Sequence, residues 1–432
     1  MKHLKKITRV SLLLTVFVAL AACATRRGAP PFVAVSRITG VPAEGTAGVN
    51  LSLGGTVEPS GATNQTVAWS VQNAGTTGAS ISGTTLTTAG VGTVTVTATI
   101  ADGLAAGPDY TQDFNISVLA TPARYREMIQ ATPDAAASVT IAGDSAYYYN
   151  PATTDEWRKG AFIAGRTVTL SPFKIAKYET TYELWYEVKQ WATDADRGAN
   201  VYTFANQGSE GHDGTAGDPP ADSARLEPVT TINWRDAIVW CNAYSEMSGK
   251  TPAYYADSSC TAVLRVSTND SGTATAADGA VIKPGADGYR LPTEAQWEYA
   301  ARGGGTPSAA SSFAYKWAGT NTESELGNYA WYNANSGGAT HPAGEKTANA
   351  LGLHDMSGNV WEWCWDWYGS PVDTGTAADP AGPALSPDLA RVVRGGGWDF
   401  DASIWAVAYR GLDSPGDRYD NRGFRVVCSL VE

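Results

Sequence analysis

Histidine, cysteine and methionine are scarce in this chain: 4, 5 and 4 among 432 residues. Past the N-terminal segment the only histidines are His212, His341 and His354, far apart and in no ligand-spaced cluster. No Ser-His-Asp order, Gly-rich phosphate loop or paired-carboxylate glycosidase pattern stands out. Cys241, Cys260, Cys364 and Cys428 form no CxxC or other metal-type spacing. An exported compartment would permit disulfides among them, but nothing in their order pairs them. Cys241 and Cys364 lie in Trp-rich stretches and read as small buried hydrophobes. Positive charge is in deficit too: 31 Lys and Arg against 43 Asp and Glu give −12. That balance excludes nucleic acid as a partner, and any electrostatic grip on anionic lipid.

What is present is apolar and aromatic: 43% hydrophobic residues, with 15 Trp and 20 Tyr. A chain of this length and composition holds two or three domains with a sizeable core. Its first residues are a targeting segment. Lys2, Lys5, Lys6 and Arg9 precede the apolar run "VSLLLTVFVAL", which is too short and wrongly flanked for a membrane span. The run ends in "LAAC" at 20–23, which resembles a bacterial lipobox. The resemblance implies removal of residues 1–22 and acylation of Cys23, with several chains holding the protein at a membrane. Ala24 follows, with no Asp to signal inner-membrane retention, so the expected location is the outer membrane, facing outward or into the periplasm. A plain signal peptide with a chance Cys is the alternative.

Residues 24–31, "ATRRGAPP", complete a tether at 23–31. Residues 32–119 then lose nearly all charge. "TVTVTATI" (93–100) alternates strictly, placing Val94, Val96, Ala98 and Ile100 on one face and threonines on the other: a half-buried strand. "QTVAWSV" (65–71) and "DFNISV" (113–118) are further strands between Gly-rich turns. This segment resembles a bacterial immunoglobulin-like domain, an all-β sandwich that Trp69 would plug. A linker is expected at 120–136 and a larger domain at 137–430.

In that larger domain three helices are predicted. "YETTYELWYEVKQWA" (178–192) offers a capping box from Thr180 to Glu183. "NWRDAIVWCNAYSEMSG" (233–249) carries Trp234, Ile238, Cys241 and Tyr244 on one stripe and ends at Gly249. "LPTEAQWEYAARGGG" (291–305) has a box from Thr293 to Gln296 and closes at Gly303. Arg290, Glu294, Glu298 and Arg302 can form i,i+4 pairs along one face of it. Long Gly-, Asn-, Ser- and Asp-rich stretches between helices make the domain a loop-dominated α+β fold, with function expected in the loops.

Taken together, "DGYRLPTEAQWEYAARGG", "GLHDMSGNVWEWCWDWYG" and "RVVRGGGW…NRGFRVV" resemble the formylglycine-generating enzyme, or sulfatase-modifying factor, family. The resemblance implies a C-type-lectin-like fold whose C-terminal loops build the working surface. It also implies structural Ca²⁺, held by the Glu362 side chain and backbone oxygens of Gly358 and Val360. The residues themselves leave a second option open: a carboxylate among so many Trp needs a partner, and an Arg serves as well as a cation. A second calcium site near Asn328 and Tyr329 lacks the family's acidic loop.

The family's oxidase chemistry uses two thiolates to hold copper. Carried onto this chain, those positions are Phe400 and Trp405, which cannot ligate a metal. A sister branch of the fold binds iron through three His, which this chain does not group. Neither copper nor iron is therefore expected, and no catalytic residue is assigned. What the C-terminal stretch does contain is recognition chemistry. Asp399, Phe400, Asp401, Ser403, Ile404, Tyr409, Gly411, Leu412, Asp413, Ser414, Tyr419, Asp420 and Asn421 punctuate a frame of Gly, Trp, Ala, Pro and Arg. All are residues that an AAC or AAT codon reaches when only its adenines change. This resembles the retroelement-diversified variable proteins, including treponemal variable lipoproteins, which display such loops for binding. Tyr supplies rigid contact area; Asp, Ser, Asn and Gly supply adaptable hydrogen bonding. Arg410, Arg418 and Arg422 are placed to pin the loop, Arg394 and Arg425 to serve the frame, and Trp398 and Trp405 to anchor it.

The sequence thus points to an outer-membrane lipoprotein binding an extracellular protein or glycan through 398–421. A modifying enzyme with other chemistry and a structural envelope protein are the alternatives.

Overall fold

The computed structural model describes residues 31–46, 51–88, 92–119, 125–134, 136–220, 224–270, 275–305, 311–370, 372–402 and 406–430. Cys23, Ser403, Ile404 and Trp405 lie outside these residues.

The described residues from 31 to 119 hold strands and turns and no helix. A four-stranded sheet runs in the order Glu44–Thr46, Tyr110–Leu119, Gly92–Ile100 and Ala68–Asn73. A three-stranded sheet holds Leu51–Ser52, Thr85–Thr87 and Ser80–Ser82. The strict alternation does what its period requires: Val94, Val96, Ala98 and Ile100 are each at most 1% exposed. Trp69 is half-buried and touches both hydrophobic clusters of this segment.

The expected linker is shorter than 120–136. Met128–Gln130 pairs antiparallel with Phe173–Ala176, which continues through Val427–Ser429 to Tyr289–Arg290 in one sheet. Three residues carry too little alternation to announce a strand; here the partner strand makes it. The larger domain therefore begins inside the stretch read as linker.

Its helices are α1 (Tyr182–Thr193), α2 (Trp234–Met247) and α3 (Glu294–Ala301). The boxes at Asn233/Asp236 and Thr293/Gln296 close both ways, satisfying first-turn N–H groups that have no partner within the helix. At α1 the cap is Thr181, one residue later than expected, and its side chain accepts from the Leu184 N–H. Thr180 instead uses its main chain, donating to Phe424 and accepting from Val229. Helix α2 is buried from Trp234 to Ser245, wider than one stripe, because α1 covers one side and Cys364, Tyr254 and Phe424 the others. Trp185 of α1 lies parallel to Trp240 of α2 at 6.0 Å.

The charged face of α3 is not a solvated one. Glu294 and Glu298 are 5% and 0% exposed. Glu298 does pair with Arg302, at 2.8 Å, but Arg290 turns to Gln296 rather than to Glu294. The remaining partners come from the C-terminal loop. Gly160 leaves room for this cluster. Any Cβ there would lie 2.5 Å from the Glu298 carboxylate, which accepts the Ala161 N–H at 2.7 Å. Among the described residues no helix is long and apolar enough to cross a membrane.

Candidate binding site

A second four-stranded sheet carries the C-terminal loop. Its order is Gly411–Asp413, Arg391–Arg394, Trp361–Trp367, Arg422–Gly423. The chain leaves this sheet after Arg394, returns at Gly411, leaves again after Asp413 and re-enters at Arg422. The stretch read as one loop is therefore two excursions with a short strand between them.

Arginines hold both excursions from inside. Arg394 donates to the Tyr409 and Val407 carbonyls and to Glu298. Arg410, 3% exposed, sets its fork on Glu294 at 2.6 and 2.8 Å and donates to the Gly369 carbonyl at 2.7 Å. Burial alone would raise Glu294; Arg410, Arg394 and Arg166 outweigh it and hold the carboxyl below its ordinary range. Arg422 donates to Asp413 at 2.6 Å and to the Asn421 side chain at 2.8 Å, and Arg418 to Asn206 at 2.7 Å. Arg410 thus pins the loop to the core and Arg422 pins it to an Asp within it.

Beside the first excursion and the strand that follows it lies a cleft of about 380 Å³. Phe400, Tyr409 and Leu412 of the loop line it, and Trp157, Trp361 and Tyr368 complete the wall. Tyr409 meets Trp157 edge-on at 5.1 Å and Trp361 at 5.8 Å, while Phe400 meets Trp361 edge-on at 5.9 Å. These are the separations that aromatic quadrupoles favour. Trp157 sits on the single turn Glu156–Arg158 and is tied to the loop by the Arg410 N–H, which donates to its carbonyl at 2.8 Å. Nothing in the residue pattern joins Trp157 to Tyr409; only the fold brings them together.

The other expected contact residues scatter. Asp399 and Asp401 are exposed on either side of Phe400, and Asn421 donates to Asp399 at 2.8 Å. Leu412 and Tyr419 are exposed, 43% and 47%. Asp413 is turned inward to Arg422, and Ser414 lines a separate hollow of about 480 Å³ with Trp367, Leu385 and Leu389. Asp420 faces another side, 2.9 Å from His212, whose ring packs on Trp398 at 4.1 Å. Trp398 is half-buried, as an anchor should be, with its N–H donating to Asn359 and its carbonyl accepting from Ser336.

Glu362 does not fit a calcium ligand. Its carboxylate is 0% exposed, takes both arms of Arg425 at 2.7 Å, and accepts the Trp297 indole N–H at 2.7 Å. The ion pair that the sequence left open describes this side chain. The Gly358 N–H donates to the Gly395 carbonyl, and the Val360 N–H to Glu179 at 3.2 Å. Burial, with Asp355 and Glu362 adding to it, holds Glu179 well above the ordinary carboxylate range, and Arg425 opposes them. Burial likewise pushes Asp355 up to about 6. Among the described residues no group of three or more His, Cys, Asp or Glu is placed to hold a metal ion. His341 stacks on Trp331 and His354 on Tyr178. Cys241, Cys260, Cys364 and Cys428 are free, and burial raises the thiols of Cys241, Cys364 and Cys428.

Known proteins are similar to this chain. The sulfatase-modifying factor enzyme 1-like domain family matches residues 125–430. A chaperone protein named LppX from Paenibacillus barcinonensis is 32% identical over 280 residues, 61% of this chain and 82% of its own. The formylglycine-generating enzyme of Thermomonospora curvata is 30% identical over 287 residues, 60% of this chain and 83% of its own. Among solved structures, Treponema denticola variable protein 1 superimposes with a TM-score of 0.52 at 31% identity, over 75% of this chain and 96% of that one. With its loop-rich α+β, C-type-lectin-like head, the chain belongs to the sulfatase-modifying factor enzyme 1-like domain family.

Proposed function

We propose that this protein is an envelope lipoprotein whose head binds a ligand through the cleft at Phe400, Tyr409 and Leu412 and the rim around it, without catalysing a reaction. One observation carries the reading. Where the family resemblance puts the first copper-holding thiolate, Phe400 stands as a wall of the cleft against Trp361. A hydrocarbon ring there offers contact area and no electrons for a metal. The "LAAC" segment supports acylation at Cys23 and a place on the outer membrane. Similarity to a treponemal variable protein supports a display role for the loop, and the name of the Paenibacillus relative supports a protein as the ligand class. Calcium has no part in this reading, because Glu362 is committed to Arg425.

The test is a ligand screen on the full chain, run beside Tyr409→Ala and Tyr419→Ala. Ligands are expected that bind the wild type and lose at least tenfold in affinity to one variant or both. Equal binding by all three forms would refute the assigned face. In parallel, a sulfatase-type Cys peptide is incubated with the chain and copper; its conversion to an aldehyde would refute the non-catalytic reading.

A further inference from the structure

We infer that the cleft is an anchor pocket for one aromatic side chain of a protein partner, flanked in that partner by basic residues; this rests on the binding function just proposed. The walls decide the class of occupant. Trp157, Trp361, Phe400 and Tyr409 present rings edge to face around a space of about 380 Å³, and an entering ring extends the same packing.

Two other occupants fit less well. A quaternary ammonium group needs bare aromatic faces, and here the molecule's own cations approach them. The Arg158 guanidinium lies 4.3 Å from the Trp157 ring, and Arg422 lies 5.3 Å from Trp361. A glycan needs forked donors for its hydroxyls, but Arg410 is directed at Glu294 and Arg422 at Asp413 and Asn421. The Trp361 indole N–H is buried with no acceptor, so it offers nothing to a sugar either.

The rim sets the partner's charge. The charged residues of the cleft wall, Arg410 and Arg422, are already met by Glu294 and Asp413. Asp399 and Asp401, by contrast, are exposed outside it on both sides of Phe400, on a chain of net charge −12. Leu412, 43% exposed, supplies an apolar lip. Complementary charge around an aromatic anchor is how such pockets choose partners. Trp157 is the residue that separates this inference from the broader reading, because it belongs to the pocket and not to the loop.

The probes are acetyl-Lys-Phe-Lys-amide, acetyl-Lys-Ala-Lys-amide, acetyl-Glu-Phe-Glu-amide, methyl glucoside and tetramethylammonium, titrated into the full chain by saturation-transfer NMR. Saturable binding is expected for the Lys-Phe-Lys peptide, at least tenfold weaker for the Glu-Phe-Glu peptide, and absent for the rest. Trp157→Ala should weaken it by ~30-fold, the scale of a buried aromatic hot spot, and Trp157→Phe should restore most of it. Leu412→Lys, at an exposed position that spares the fold, should also weaken it, and Leu412→Glu should not. Equal response to the Ala peptide, or binding of the glucoside or ammonium instead, overturns the anchor pocket. A screened ligand lost with Tyr419→Ala but indifferent to Trp157→Ala overturns it too, while leaving binding through the loop intact. A screened ligand indifferent to every one of these variants removes both.

Discussion

Replacing Arg410 by Met tests how the loop is held. The wild-type guanidinium is 3% exposed and meets Glu294 through two bonds of 2.6 and 2.8 Å. Without it, Glu294 keeps the Arg394 nitrogen 3.7 Å away and the charge of Arg166, with no forked partner, while remaining buried. Stranding one member of a buried pair costs ~3–5 kcal/mol, a fifth or more of an ordinary domain's ~5–15 kcal/mol. Replacing Glu294 by Met as well removes the stranded charge, so the double variant should regain ~3 kcal/mol over Arg410→Met alone. The pH dependence has a definite sign. Glu294 is held below its ordinary value in the fold, so the pair's contribution is present above the unfolded value and fades as pH falls through the folded one. In Arg410→Met the carboxyl loses that support and protonates more readily, so the gap to wild type should narrow from pH 7 towards pH 5. Urea unfolding of the full chain, followed by near-ultraviolet circular dichroism of the Trp-rich head, reads all three forms. A single-variant cost under ~1 kcal/mol, or a double variant whose cost is the sum of the two singles, would refute the account.

Three other outcomes are expected. Asp366 is buried and accepts the Glu294 N–H at 2.8 Å; burial first, then Glu294, pushes its carboxyl from 3.8 to about 7. Ionising it opposes folding, so its own contribution to stability should fall by ~4 kcal/mol between about pH 4 and pH 7 at ~1.4 kcal/mol per pH unit. Asp366→Asn should make the pH dependence of stability shallower by that amount, and an unchanged slope would discard the cause. Cys241, Cys364 and Cys428 should resist Ellman's reagent until the chain unfolds, because burial raises each thiol; reaction of the folded chain at these positions would contradict their placement. Chelation by EDTA should leave the unfolding midpoint of the head unmoved, while Glu362→Gln lowers stability by ~3–5 kcal/mol by stranding Arg425. A midpoint that falls on chelation and returns with calcium would mean Glu362 serves a cation after all.

Where local rules act alone, the sequence was legible. The capping box of α3, the alternation of 93–100 and the glycine closing α3 are short-range signals, and each stands in the structure as read. Capping at Thr180 missed by one residue because two adjacent threonines satisfy the same pattern; the choice fell to Thr181 once Thr180 joined the Phe424 and Val229 main chains. The charges of α3 misled for a different reason. Their spacing fits a solvated face, and only Arg394 and Arg410, about a hundred residues later, convert that face into a buried network. The binding site divides in the same way. Phe400, Tyr409 and Leu412 could be named from composition, but Trp157, Trp361 and Tyr368 could not be attached to them, and Asp413, Ser414 and Asp420 proved to face elsewhere.

The loop's two kinds of residue have separate physical duties, and this separation suits the fold to recognition. Arg394, Arg410 and Arg425 are at most 3% exposed, and they bind loop carbonyls or core carboxylates. Changing any of them strands a buried partner at a cost of several kcal/mol, on the order of 3–5. Asp399, Asp401, Leu412 and Tyr419 are exposed, and substitutions at such positions ordinarily move stability by about 0.5 kcal/mol or less. Contact chemistry at the rim can therefore change without reopening the frame. Tyr409 stands between the two groups: half-buried between Trp157 and Trp361, it gives its carbonyl to Arg394 and its ring to the cleft. Substitution there should change binding and stability together, whereas Leu412 and Tyr419 should change binding alone.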